Sequence, residues 1–172
     1  MILTIVKYRM KVKRSVRRPK RGPMEDTVRS NYSLIVKDNE QAAAEALAAG
    51  NFVQAYLLVH ALIEALLRLF LRIPEKKDVS FANLIRQYRS YLEQQHYLFP
   101  TFIDELTKFN RRRNRVVHQL WRKGHSFTNR QTEPAARAAV TMYGLLIEWF
   151  ETFDIEITQI GFQYDRTIDK GV

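Results

Sequence analysis

Apolar residues recur at steps of three and four from Asn31 to Phe153, and the pattern breaks at Gly50, Pro74, Phe99-Pro100 and Gly124. That period keeps one face of a helix apolar and does not fit a half-buried strand. The breaks delimit the helices. Gln41–Leu47 is rich in helix formers, and Gly50 is a good stop for a helix over Asn31–Ala49. Asn51, with Gln54 three residues on, reads as a capping box for a second helix, Phe52–Ile73. Ser80 caps a third, Phe81–Tyr97, with Leu84, Ile85, Tyr88 and Leu92 as its stripe. Thr101 caps a fourth that Gly124 ends, Ser126–Thr132 reads as a polar loop, and Thr132-Glu133-Pro134 opens a fifth to Phe153. Ile155–Phe162 reads as one short strand. The predicted fold is all-α, an antiparallel bundle of about five helices over 31–155, with a basic extension over 1–30 and a tail over 156–172.

A chain of 172 residues, 46% hydrophobic and 27% charged, fits one soluble domain with its own core. It has no cysteine, so disulfides, thiolate metal sites and a Cys nucleophile are excluded. The net charge of +10 is uneven. Residues 1–23 hold nine Lys/Arg and no acid, leaving 19 basic against 18 acidic residues, a net of +1. The high pI belongs to the extension, and whole-chain charge says little about nucleic-acid binding by the body. Within the extension Val6–Lys13 alternates as a strand would. Three readings stand for it: a nucleic-acid-binding arm, a flexible tail, or residues upstream of a true start at Met24. Phe52–Phe70 is the most apolar stretch, yet it holds His60, Glu64 and Arg68, which argues against a membrane span. The N-terminus lacks a secretory pattern, so a cytoplasmic location is expected.

The fourth helix carries the anomaly. Phe102, Leu106, Phe109, Arg113, Val116 and Leu120 form one seam, and Arg113 interrupts it. An arginine there calls for an acidic partner, a cleft, an interface or an anionic ligand. Asn114 and His118 stack at i, i+4, and Arg111 lies on nearly the same face. Arg113 is about 140° round an ideal helix from His118. These side chains suit RNA cleavage without a metal. Histidine titrates near neutrality and moves protons, while arginine neutralises phosphorane oxygens with bidentate geometry.

Arg113-Asn114-x3-His118 near the end of a late helix, in a small helical chain, resembles the HEPN superfamily. These are helical-bundle domains of prokaryotic toxin–antitoxin and defence systems, many of them metal-independent endoribonucleases. Their signature is Arg, four to six residues, then His. Arg113, Arg112 and Arg111 all meet it, and Asn114 favours Arg113. The early helices, Gly50-Asn51-Phe52 and Ala61–Leu67, are similar in style, and the resemblance covers roughly residues 35–153. It implies catalytic Arg113, Asn114 and His118, an RNA substrate, no cofactor or metal, and a homodimer whose two Arg/His pairs share a cleft. It also implies an antitoxin partner such as a minimal nucleotidyltransferase. Members paired with that antitoxin often carry His-x-Tyr, whereas Gln119-Leu120 follows His118 here.

Other residues have two readings each. His60, Glu64, Arg68 and Arg72 recur every four residues, either as a solvated, salt-bridged stripe or as support, with Glu64 orienting Arg113 or His118. His60, Glu64 and Arg111 are therefore candidates for supporting or substrate-binding roles. His96 and His125 read as surface residues. Trp121 and Trp149 read as core and not as base-stacking platforms. A non-catalytic RNA-binding dimer and a plain structural module are the alternatives to a ribonuclease.

Overall fold

A computed structural model describes residues 26–74, 76–96, 102–154 and 156–163. In them the chain forms six helices: α1 (Asp26–Ala48), α2 (Phe52–Phe70), α3 (Phe81–Gln94), α4 (Ile103–Lys123), α5 (His125–Glu151) and α6 (Glu156–Gln159). The expected all-α bundle is what the chain builds. The Val6–Lys13 strand and the Thr101 cap lie outside the described residues.

The most apolar helix becomes the centre. α2 packs chiefly against α5 and α1, with α3 and α4 beside it. Leu62, Ile63, Leu66 and Leu67 of α2 are fully buried, as are Leu84 and Tyr88 of α3, Ile103 and Leu106 of α4, and Leu146 and Phe150 of α5. Phe70 stacks on Phe150 at 4.2 Å between ring centroids. By length and composition α2 could also cross a membrane, but in this fold it is the core helix.

Helix ends follow backbone chemistry. Gly50, with φ of +73°, ends α1 while Asn51 N–H donates to Ala46 O and Gly50 N–H to Leu47 O, a Schellman turn. α2 stops at Phe70, short of the expected Ile73, because Arg72 takes the same left-handed conformation (φ 56°) and Ile73 N–H returns to Arg68 O. Ser80 caps α3 through Asn83 N–H as expected.

Three expectations fail, two for tertiary reasons and one for a local one. Asn51 makes no side-chain cap; instead Asn129 of α5 accepts from Val53 N–H at 3.0 Å and donates to Gly50 O at 2.7 Å. The Ser126–Thr132 loop is helical, and α5 runs unbroken from His125 through Pro134. Buried Thr128 and Thr132 turn their hydroxyls onto Gly124 O and Thr128 O, so this polar run satisfies itself inside a helix. Gly124, at φ 74° and ψ 172°, occupies a region open essentially to glycine, and α4 turns into α5 there with no loop.

The Ile155–Phe162 strand is also absent. Glu156–Gln159 is α6, started by Asp154, whose carboxylate accepts from Glu156 N–H at 3.2 Å. The described residues offer no sheet edge, and Ile157, Ile160 and Phe162 instead bury against the bundle. Residues 156–163 therefore belong to the body and not to a tail. Glu40 of α1 ties them down, accepting from Gln163 N–H at 2.9 Å and from Tyr143 OH at 2.6 Å.

Candidate functional site

α4 is two helices in character. Its first two turns bury Ile103, Leu106 and Phe109 and expose Asp104 and Glu105. Beyond them only Val116 is fully buried, while Arg111, Arg113, Asn114, Arg115, Val117 and His118 are all exposed. Arg113 thus has its Cα on the seam and its side chain at the surface, the usual outcome for a long cationic stem. Arg113 Nη1 donates to Asn114 Oδ1 at 3.2 Å. Among the described residues Arg68 pairs with Glu64 and Arg137 with Glu133, and no ion pair reaches the α4 arginines.

The sequence candidates are only partly brought together. Arg113 and Asn114 touch, and Asn114 precedes His118 by one turn on the same face. The His118 side chain forms no hydrogen bond, ion pair or ring contact among the described residues, with Arg113 or otherwise. Arg111 is simply exposed. Arg112, which also meets the Arg-to-His spacing, is half-buried and donates from Nη2 to Gln131 O at 3.1 Å, joining α4 to α5 beside Pro134.

His60 proves to be a neighbour of Arg113. It is 7% exposed, with its ring 4.4 Å from that of Phe81 and 5.4 Å from that of Phe109. Its Nε2 is buried without a hydrogen-bond partner. Burial first, and the Arg113 charge second, push its pKa down to about 4, against a hydrogen bond with the Asn110 side chain. His60 is therefore neutral at neutral pH and adds no charge beneath Arg113. Tyr56 fixes the same turn: its OH donates to Phe109 O at 2.9 Å, the carbonyl that helix geometry assigns to Arg113 N–H.

Glu64 does not orient Arg113 or His118. It pairs with Arg68 at 3.0 Å, and Arg68 donates onward to Lys77 O and Val79 O. The Glu64–Arg68 pair latches the α2–α3 connection, which is the stripe's structural reading. No group of three or more His, Asp or Glu side chains converges among the described residues.

Two features of the sequence mark this face of the molecule. From Leu106 to Thr132 there is no acid, against eight Lys/Arg, so the near-neutral body carries a local excess of +8 in these residues. Trp121 is not core: it is 85% exposed. Leu120 is the seam residue, and its neighbour falls about 100° away. Trp149 does lie inward, half-buried, and donates from Nε1 to Tyr88 OH at 2.8 Å.

No family model matches the chain, and no curated protein or solved structure matches it either.

Proposed function

We propose that this protein is a metal-independent endoribonuclease of the toxin or defence type, acting on single-stranded RNA. The observation that carries the reading is the exposed face of α4, where Arg113, Asn114 and His118 reach solvent with no acidic partner among the described residues. A surface with unneutralised arginines suits a phosphate backbone.

In this reading the RNA 2′-OH attacks its own 3′ phosphate. A base takes the hydroxyl proton, the P–O5′ bond breaks, and the 5′ oxygen leaves with a proton. The products are a 2′,3′-cyclic phosphate and a 5′-OH end. His118 handles a proton, Arg113 neutralises the phosphorane oxygens, and Asn114 steadies the Arg113 guanidinium. Because Arg113 and His118 diverge round one helix, the reading includes a homodimer. Its two α4 helices flank a groove, with His118 of one copy facing Arg113 of the other across bound RNA. An antitoxin is the expected further partner.

Cleavage of single-stranded RNA in EDTA tests the proposal. Wild type cuts, and His118→Ala and Arg113→Ala each lose on the order of a hundredfold or more, with unchanged circular dichroism. Uncut RNA from folded dimeric wild type rejects it. Binding without cutting identifies the non-catalytic RNA-binding alternative.

A further inference from the structure

Trp121 packs against nothing among the described residues. An indole normally buries a large apolar area in a core, yet this one is 85% exposed on the last turns of α4. Val117, one turn earlier, is also exposed, at 42%. Helical geometry puts Trp121 within about 60° of His118 and about 20° of Asn114, and roughly 4.5 Å along the axis from His118. Side chains on a helix lean toward its N-terminus, so the indole leans over the turn that carries Val117 and His118. Arg122 and Lys123 follow directly, and the whole run from Leu106 to Thr132 lacks an acid.

Charge selects the occupant. A second copy docked directly against this face, with no nucleic acid between, would set Arg111 and Arg113 against their counterparts with no acid in the run to neutralise them. A single-stranded nucleic acid supplies what this surface lacks, anions for the arginines and a π-face for the indole. We propose that Trp121 is a base-stacking platform, and that it seats a nucleobase of single-stranded RNA next to His118. This rests on the reading of α4 as an RNA site and adds a subsite to it. Two copies flanking a groove leave Trp121 on the groove wall.

A fifteen-residue oligodeoxyuridylate is the probe, since without a 2′-OH it cannot be cut. Titrated into the full chain, it quenches tryptophan emission, and Trp121→Phe, which keeps Trp149, loses that quench. Trp121→Ala weakens binding about tenfold, and Trp121→Phe recovers most of it. The slope of log affinity against log salt is unchanged, because no phosphate contact is lost. Inorganic polyphosphate, which has charge and no bases, binds wild type and Trp121→Ala equally.

Equal oligonucleotide affinity for wild type and Trp121→Ala overturns the platform. So does loss of self-association in Trp121→Ala with no change in oligonucleotide binding, which assigns the face to a second copy. The two readings fail separately. Absent RNA cleavage with the stacking result intact upholds the platform and removes only the nuclease. Intact cleavage with no Trp121 effect on binding removes only the platform.

Discussion

The first two turns of α4 and its remaining length share one three-four seam but bury it unequally. Ile103, Leu106 and Phe109 lie inside the bundle; beyond them Val116 is buried and Leu120 half-buried, whereas Arg113, on the same seam, reaches solvent beside the off-seam Val117, His118 and Trp121. The acids Asp104 and Glu105 sit at the positive end of the helix dipole, and Arg122 and Lys123 at the negative end, so both termini have a structural use for their charges. Of the mid-helix arginines, Arg112 bonds Gln131 O, whereas Arg111, Arg113 and Arg115 meet neither an acid nor a helix end among the described residues. Periodicity fixes which direction a Cα faces. Side-chain length and charge decide whether what it carries stays there.

The sharpest way to break this comparison is to truncate one large residue in each half. Leu106→Ala removes a fully buried side chain and should cost about 2–5 kcal/mol in urea unfolding. Trp121→Ala, though it deletes more atoms, should stay within about 0.5 kcal/mol. A large loss at Trp121 means the distal half packs against something, and the contrast between the halves fails.

His60 lies where the two halves meet, and it makes the boundary sensitive to pH. Its folded pKa of about 4 is below the unfolded value of 6.5. As pH falls below 6.5 the unfolded chain binds a proton that the native state refuses until about pH 4. The stabilisation is therefore complete above 6.5 and is lost on descent to about 4, amounting to on the order of 3 kcal/mol. Glu40 acts in the opposite sense, since burial raises its pKa and acid relieves the buried charge. The difference between wild type and His60→Leu isolates the histidine: unfolding at pH 7.5 and 4.5 should show the acid loss in wild type and a flatter response in the variant. In Arg113→Gln the His60 imidazole, followed by NMR, should titrate at higher pH, because the neighbouring charge is gone. An unmoved midpoint separates His60 from Arg113.

The helical architecture was legible because it rests on local signals. The apolar step, Gly50, Gly124 and Ser80 each act within a turn or two of themselves. What was illegible depends on residues distant in sequence. Nothing near Asn51 reveals that Asn129 caps α2, and nothing near Ile155 reveals that Glu40 holds residues 156–163. The site was half legible. The Arg113-Asn114-x3-His118 run is local, and so is the acid-free stretch around it, which whole-body charge averaging hid. His60 under Arg113 is a pairing of α2 with α4, and its four-residue stripe pointed equally to the Glu64–Arg68 latch.

Asn129 offers the finest test, because it couples the start of α5, at the distal end of α4, to the start of the core helix. Its side chain performs both halves of a cap, accepting from Val53 N–H and donating to Gly50 O. Asn51 holds the position that a local cap would occupy and makes no such bond. Asn129→Ala should therefore cost about 1 kcal/mol, typical of a lost N-cap, while Asn51→Ala should cost less. Asn129→Asp keeps the acceptor toward Val53 and loses the donor toward Gly50, so it should fall between wild type and Asn129→Ala. Chemical denaturation of the three variants orders them. If Asn51→Ala proves as costly as Asn129→Ala, α2 is capped locally, and the distal corner is not fastened to the core.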